Sequence, residues 1–183
     1  MSLTNRQEAI VIGSLLGDGG MRCKRNALLE VNHSEAQKTY VDWKYQELRQ
    51  IVGTPPKLRR SNGSRIAYRF TTLSRPELTP IYRAFYGTGT KAIPELRLSR
   101  LALAVWFMDD GCKTRNSVYL NTQQFCVEDQ LRLAALLGAQ HGLQATLNRD
   151  KLYYRLRIRV DSMPRLKAII FDLVLPEMRY KLP

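Results

Sequence analysis

Two short stretches decide the fold: VIGSLLGDG at residues 11–19 and LAVWFMDDG at residues 103–111. Each is a mostly apolar segment, typical of a buried helix, and each ends in Asp-Gly. A glycine is favoured just after a helix, where a residue in the left-handed conformation closes the last turn. The aspartate is not favoured there, because the C-terminus of a helix carries partial negative charge. An unfavourable aspartate at the end of both helices indicates a function for Asp18 and Asp110.

The two stretches belong to a longer internal repeat. Four features recur in the same order, displaced by 92, 89, 88 and 90 residues. They are the Asp-Gly motif, EVNH at 30–33 with YLNT at 119–122, SRPEL at 74–78 with SMPRL at 162–166, and KAIP at 91–94 with KLP at 181–183. Collinear matches at a nearly constant displacement predict a duplicated unit. We expect a first half at residues 1–97 and a second half at residues 98–183.

Both halves have the same predicted order of elements. Hydrophobic periodicity predicts helices over 4–18, 35–52, 75–86, 99–110, 127–141 and 162–173. Alternating segments between these helices predict two hairpins in each half, one of which turns at Ser61-Asn62-Gly63. The fold class is therefore α+β, with two pseudo-symmetric αββαββα halves that each contain a four-stranded antiparallel sheet.

The first helix also carries a small-residue face. Gly13 and Gly17 are four residues apart and so lie on one side of the helix. Small residues there allow a second helix to approach closely. The helix predicted over 99–110 has only Ala102 and Ala104 as comparable small residues, so we expect an asymmetric pairing of the two helices at the interface between the halves.

The charge of the chain points to a polyanionic partner. Lys and Arg number 29 against 16 Asp and Glu, which gives a formal net charge of +13 and a pI near 10.0. No membrane partner is expected, since no apolar run is long enough to span a bilayer. The N-terminus lacks the layout of a secretory signal, and three cysteines with two histidines do not form a zinc set. We expect an intracellular protein, with the cytoplasm or nucleoid of a prokaryote and an organelle both left open.

A divalent cation would resolve the problem that the two aspartates pose. Two carboxylates brought together by a two-fold axis repel unless a cation lies between them. Asp18 and Asp110, with the backbone carbonyls of Gly17 and Asp109, would form an oxygen-rich shell that suits Mg²⁺. The alternative is that both segments are core helices whose aspartates only begin a turn.

The predicted strands carry a basic face. In the last hairpin Tyr153, Arg155, Arg157 and Arg159 alternate with apolar residues, so they share one side of a strand. The other candidate contacts with nucleic acid follow the same reasoning: cations for phosphates and guanine, amides for adenine. They are Arg22, Lys24, Arg25, Asn32, Lys57, Arg59, Arg60, Arg65, Arg69, Lys113, Arg115, Asn121, Gln123 and Asn148.

The two stretches, with AVWFMDDG at 104–111, LNTQ at 120–123 and YKLP at 180–183, resemble the LAGLIDADG homing endonucleases of the single-chain, two-motif type. The resemblance implies a monomer that binds double-stranded DNA on a saddle made by both sheets and makes a staggered double-strand break with short 3′ overhangs. It also implies that Asp18 and Asp110 coordinate Mg²⁺, which Mn²⁺ would replace, against the two scissile phosphates. One departure is the first motif, which reads Gly17-Asp18-Gly19 where the second reads Asp109-Asp110-Gly111.

Lys91 and Lys181 occupy equivalent places, each shortly before a proline. In the proteins that the chain resembles, lysines at these positions lie at the periphery of the active site. There a cation could polarise the attacking water or stabilise charge that develops on phosphorus. The alternative is a pair of solvated lysines beside a loop.

Three functions compete. The first is a Mg²⁺-dependent DNA endonuclease that promotes mobility of its intron or intein. The second is an RNA maturase, with host intron RNA as its partner, and the third is a DNA-binding protein that has lost cleavage. The presence of both Asp18 and Asp110 favours the first, because a protein that only binds DNA gains nothing from two repelling carboxylates.

Overall fold

The computed structural model describes residues 2–60 and 66–183, so the turn expected at 61–63 and the candidate contact Arg65 lie outside the described residues. Six helices alternate with eight strands within these ranges. The helices are α1 (Asn5–Leu16), α2 (Lys38–Leu48), α3 (Thr79–Tyr86), α4 (Arg100–Asp110), α5 (Val127–His141) and α6 (Met163–Ile170). The strands are β1 (Gly20–Cys23), β2 (Ala27–Ser34), β3 (Lys57–Arg60), β4 (Ile66–Thr71), β5 (Gly111–Lys113), β6 (Val118–Leu120), β7 (Ala145–Asp150) and β8 (Tyr153–Ile158).

The eight strands form two antiparallel sheets with the same internal order. The first sheet runs β1-β2-β4-β3 and the second β5-β6-β8-β7. Identical topology in the two sheets confirms the predicted duplication and the α+β class. The segment of residues 87–99 joins α3 to α4, and within it Ile93 N donates to Asp129 and Leu98 N to Gln140, both on α5. The division at residue 97 stays a prediction.

Helices α1 and α4 pack against each other at close range, as expected for the interface. A Cβ added at Gly13 would lie 2.5 Å from the carbonyl oxygen of Ala102 and 2.6 Å from Cβ of Val105. A Cβ added at Gly17 would collide with the side chain of Asp109. The small face of α1 therefore receives α4 as predicted, but its neighbours are Ala102, Val105 and Asp109 rather than the pair of alanines.

The glycines beside the two aspartates differ from the expectation. Gly111 has φ −66° and Gly17 has φ −104°, and Gly19 also lies outside the left-handed region, so that part of the prediction was wrong. After α4 the chain passes directly into β5 at Gly111, whereas residues 17–19 separate α1 from β1. Glycine is required at these positions because there is no room for a Cβ atom. A Cβ at Gly19 would lie 2.7 Å from the carbonyl oxygen of Ser14, and a Cβ at Gly111 would lie 2.7 Å from Cδ2 of Phe107.

Each sheet has one buried face and one open face. In β2, Leu29, Val31 and His33 are buried, while the residues between them are partly or fully exposed. In β8, Leu156 and Ile158 are buried, whereas Arg155 and Arg157, which alternate with them, are partly exposed. The sheets thus cover the helices with one face and leave the other open. None of the described helices is long and apolar enough to cross a membrane.

Candidate active site

The C-terminal ends of α1 and α4 bring two carboxylates into electrostatic contact. Asp110 is the last residue of α4 and is only 9% exposed. Asp18 lies two residues beyond α1, and its side chain is 49% exposed. Asp110 Oδ2 is buried and has no hydrogen-bond partner among the described residues. An unpartnered buried carboxylate oxygen is costly unless a cation or a proton satisfies it.

The electrostatics of the two carboxylates agree with this geometry. Burial, followed by the charges of Asp18 and Asp109, raises the pKa of Asp110 to about 8. Burial and the charge of Asp109 also raise the pKa of Asp18. A divalent cation would relieve both effects, since it supplies the opposite charge and accepts oxygen ligands. The donor set, two aspartates with one orphaned oxygen, therefore fits a hard divalent ion.

Two lysines hold the ends of these helices in equivalent ways. Lys91 Nζ donates to the carbonyl oxygens of Gly17 at 3.3 Å and Gly19 at 2.9 Å. Lys181 Nζ donates to those of Met108 at 2.6 Å and Asp109 at 2.7 Å. Each lysine thus binds the carbonyl that immediately precedes its aspartate. The carbonyls of Gly17 and Asp109, predicted as metal ligands, are both engaged by an ammonium group.

Both lysines are held in a desolvated environment among the three aspartates. Burial lowers the pKa of Lys91 to about 8, and the charges of Asp110, Asp109 and Asp18 oppose that effect. Burial also lowers the pKa of Lys181. Lys181 is 9% exposed, so the alternative of a solvated lysine beside a loop does not describe it.

A buried ionic cluster, which the sequence analysis missed, surrounds the side chain of Asp109. Its Oδ1 accepts hydrogen bonds from Tyr40 Oη at 2.7 Å and Lys44 Nζ at 2.8 Å. His33 Nε2 lies 3.6 Å from the same oxygen. These side chains belong to α2 and β2, whereas Asp109 belongs to α4, so the cluster ties the first sheet and its helix to the second signature helix. The only signal in the sequence was a lysine within the apolar periodicity of residues 35–52.

His33 connects this cluster to Asp18. Its Nδ1 lies 3.5 Å from Asp18 Oδ2 and, apart from that contact, finds no hydrogen-bond partner among the described residues. Burial and the nearby charge of Lys44 lower the pKa of His33 to about 4. The imidazole is therefore neutral at neutral pH, and its contact with Asp18 is not an ion pair.

Gln124 is a further site residue that sequence reasoning did not find. Its Nε2 donates to the carbonyl oxygens of Leu16 at 3.3 Å and Gly17 at 3.1 Å, and its Oε1 accepts from Lys91 at 2.9 Å. The side chain follows β6 of the second sheet but reaches the end of α1. It therefore fixes the position of Lys91 from the opposite half.

Most of the predicted DNA contacts lie on the open faces of the sheets. Strand pairing puts the following residues there: Arg22, Asn32, Lys57, Arg59, Arg69, Asn148, Tyr153, Arg155 and Arg157. Asn121 joins them through a hydrogen bond from Arg155 Nη1 at 3.4 Å.

The remaining candidates are placed differently. Arg60 pairs with Ile66 and Lys113 with Val118, so both lie on the opposite side of their strands. Lys24, Arg25 and Arg115 lie in turns. Arg159 follows β8 and binds Asp161 at 2.9 Å, and Gln123 donates to Asp150 at 2.8 Å.

The protein has two like halves, with two carboxylates where their central helices end and a basic open face on each sheet. These features are typical of the class of proteins that bind nucleic acid and cleave its phosphodiester bonds. The family model described as the LAGLIDADG DNA endonuclease family matches residues 8–166. The chain belongs to this family, as the resemblance of its two motifs predicted.

Individual relatives agree with this assignment. The solved structure of the homing endonuclease I-WcaI bound to its DNA recognition sequence is similar over 100% of this chain and 88% of that chain, with a TM-score of 0.91 and 27% identity. DNA endonuclease I-ChuI of Chlamydomonas applanata is 27% identical over 99% of this chain and 96% of its own length. Cytochrome b mRNA maturase bI2 of Debaryomyces hansenii is 27% identical over 94% of this chain and 72% of its length. The chain spans about half the length of several other curated relatives.

Proposed function

We propose that the protein is a Mg²⁺-dependent, site-specific homing endonuclease that cleaves both strands of a long duplex target and so promotes mobility of its intron or intein. The observation that carries this proposal is the pair Asp18 and Asp110 at the ends of two closely packed helices. Asp110 keeps a buried carboxylate oxygen that has no hydrogen-bond partner in the part of the chain that the structure describes. The names of the relatives I-ChuI and I-WcaI support the same activity.

Asp18 and Asp110 are the residues that would hold the metal. When bound, Mg²⁺ supplies a Lewis acid for the scissile phosphate and makes water a better nucleophile at neutral pH. Asp110, buried and rigid, would fix one side of the site, whereas the half-exposed Asp18 leaves room for a phosphate and water. Because a lysine engages each of the carbonyls of Gly17 and Asp109, the carboxylates are the better-placed ligands.

Lys91 and Lys181 would serve the two strands separately. Each ammonium group is anchored on the carbonyl before its aspartate, so it lies close to the place where phosphate oxygens would gather negative charge. A preorganised cation in a desolvated site stabilises such charge more strongly than one in water. Tyr40, Lys44 and His33 would act indirectly, since they hold the end of α4 and the side chain of Asp109.

The open faces of the two sheets would bind the DNA duplex. Their arginines and lysines supply the phosphate contacts that position a duplex, and their amides supply base contacts. The two active-site halves are related by an internal two-fold, so one chain would address both strands as a monomer. Cuts on the two strands displaced across one groove would leave the expected 3′ overhangs.

A second candidate function is splicing of a host intron RNA. The specific observation in its favour is the relative that is named a cytochrome b mRNA maturase, which is similar over 94% of the residues of this chain. A basic two-sheet surface is compatible with RNA as well as with DNA. The endonuclease function requires both the fold and the two carboxylates, whereas the maturase function requires only the fold.

The test is a cleavage selection on a randomised duplex library with Mg²⁺, run with the wild-type protein and with Asp18→Asn and Asp110→Asn. The proposal predicts discrete cuts with 3′ overhangs that disappear in both variants. A library that stays intact while one sequence is enriched by binding would instead support the cleavage-deficient DNA-binding function. Failure to enrich any DNA, together with rescue of splicing of a host intron, would support the maturase.

A further inference from the structure

The two sheets carry the same two-residue row, an asparagine and an arginine, beside their aspartates. In the first sheet Arg69 pairs with Asn32 on β2 and with Lys57 on β3. In the second sheet Arg155 pairs with Asn148 on β7, and its Nη1 donates to Oδ1 of Asn121, the residue that follows β6, at 3.4 Å. The row lies next to the catalytic centre, since Asn121 N donates to the carbonyl oxygen of Asp110 at 3.1 Å. We call it the shared row; it consists of Asn32 and Arg69 in the first sheet and of Asn121 and Arg155 in the second. The residues on the third strand differ, with Lys57 in the first sheet and Asn148 in the second.

The next row outward is not shared. Glu30 pairs with Thr71 in the first sheet, and Tyr119 pairs with Arg157 in the second. These positions correspond, because Glu30 and Tyr119 are displaced by 89 residues, as are the two asparagines of the shared row. We call these four residues the divergent row. The halves thus share an asparagine and an arginine at one level of the open face and share neither residue at the next.

In the first sheet the divergent row presents a hydrogen-bond acceptor. Glu30 Oε1 accepts from Arg22 Nη2 at 2.8 Å, and its side chain remains 35% exposed on the open face. In the major groove a carboxylate accepts from the N4 amino group of cytosine. It repels the acceptor edges of guanine and thymine. Thr71, the strand partner of Glu30, adds no charge, and the cation beside the carboxylate is Arg22, which binds its Oε1.

In the second sheet the divergent row presents a hydrogen-bond donor, Arg157, and its Tyr119 also contacts Arg155 of the shared row. The guanidinium of Arg155 lies 3.9 Å from the ring centroid of Tyr119, and that of Arg157 lies 6.0 Å from it. A flat ring beneath two guanidinium groups limits the orientations they adopt. An arginine fixed in this way donates to O6 and N7 of guanine. Tyr119 therefore acts through the arginines, as a positioning residue.

From this difference, and resting on the proposed function, we infer that Glu30 and Tyr119 are specificity-determining residues that break the symmetry of the DNA target. The two half-sites are alike at the base pair read by the shared row. At the next base pair outward the first half selects cytosine on the strand it faces, and the second half selects guanine at the two-fold-related position.

The experiment is a binding selection from a randomised duplex library in EDTA, which separates recognition from cleavage. The full chain is compared with Glu30→Gln and Tyr119→Leu. Glu47→Gln is the matched control for the first, because Glu47 is also paired with an arginine, Arg6 at 2.6 Å, but lies on α2. Tyr154→Leu is the control for the second, because Tyr154 lies on the opposite face of β8.

The wild type is expected to enrich one site with a symmetric base pair beside a non-symmetric one. Glu30→Gln should move the first-half preference from cytosine towards adenine, since glutamine both donates and accepts, and leave the second half unchanged. Tyr119→Leu should weaken the guanine preference about tenfold in the second half alone. Both controls should reproduce the wild-type site.

The outcomes are distinguishable. If the wild type enriches no sequence, the proposed function fails, and this inference falls with it. If a site is enriched but is symmetric at the divergent position, the inference is overturned while the proposed function stands. The same conclusion follows if Glu30→Gln leaves the site unaltered or if either control shifts it equally.

Discussion

Replacement of Asp110 by asparagine should stabilise the metal-free protein, and more so as the pH rises. The pKa of Asp110 rises from 3.8 to about 8 on folding, chiefly because the carboxyl group is buried. A carboxyl group with a higher pKa in the folded state binds its proton more tightly there. Asp110 therefore lowers the free energy of unfolding increasingly as the pH rises above about 4, and this loss of stability is complete above about pH 8.

The magnitude follows from that shift. At 1.36 kcal/mol for each pKa unit, ionisation of Asp110 costs the folded protein about 5 kcal/mol at pH 8. Asparagine removes the charge but places an amide where Oδ2 has no partner among the described residues, which costs about 1–3 kcal/mol. The expected net gain is about 3 kcal/mol at pH 8 and close to zero at pH 5.

Urea unfolding in EDTA, followed by the fluorescence of the buried Trp106, measures this difference at pH 5, 6.5 and 8. The matched variant Asp18→Asn should gain less, since the Asp18 side chain is 49% exposed. Excess Mg²⁺ should reduce the advantage of Asp110→Asn, because only the wild type is stabilised by binding the ion. A difference in stability that does not grow with pH would refute the account of Asp110.

Three further predictions concern the helix interface, the buried cluster and the two lysines. Gly13→Ala should lower the free energy of unfolding by about 1–3 kcal/mol, because the added methyl group overpacks the α1–α4 contact. The control Gly138→Ala, where an added Cβ has its nearest neighbour at 3.9 Å, should raise it by about 0.5–1 kcal/mol. Equal effects of the two variants in urea unfolding would contradict the close approach of α1 and α4. Lys44→Met should cost about 3–5 kcal/mol in the same assay by leaving a buried carboxylate unpaired, and a cost below about 1 kcal/mol would show that the cluster is hydrated. Lys91→Met and Lys181→Met should each slow cleavage of a defined target about 100-fold or more. Each variant should mainly affect one strand, and the two variants should affect opposite strands, which nicked intermediates on denaturing gels would reveal. Equal slowing of both strands would contradict separate roles for the two lysines.

Local patterns in the sequence were sufficient for the elements and their symmetry. Apolar periodicity and the repeated motifs predicted the helices, the four-stranded sheets and the pairing of α1 with α4. The equivalence of Lys91 and Lys181 followed from the repeat alone, and the structure puts both on corresponding carbonyls. These features could be predicted because they depend on short-range spacing or on comparison of the two halves.

The polar interior could not be predicted in the same way. Lys44 was placed only within an amphipathic helix, because its partner Asp109 is 65 residues away and on a different helix. Gln124 reaches the end of α1 across 107 residues to bind the carbonyl of Gly17. The conformation of Gly111 depends on the strand that follows it. Each of these depends on contacts that exist only after the two halves have packed together.

The central claim is that Asp18 and Asp110 together form a metal-dependent cleavage site. The most direct measurement is the rate of cleavage of both strands of the selected duplex, with Mg²⁺ and with EDTA, for the wild type, Asp18→Asn and Asp110→Asn. We expect cleavage of both strands by the wild type only with Mg²⁺, and at least a 100-fold loss of double-strand cleavage in each variant. Wild-type rates in either variant, or cleavage that persists in EDTA, would contradict it.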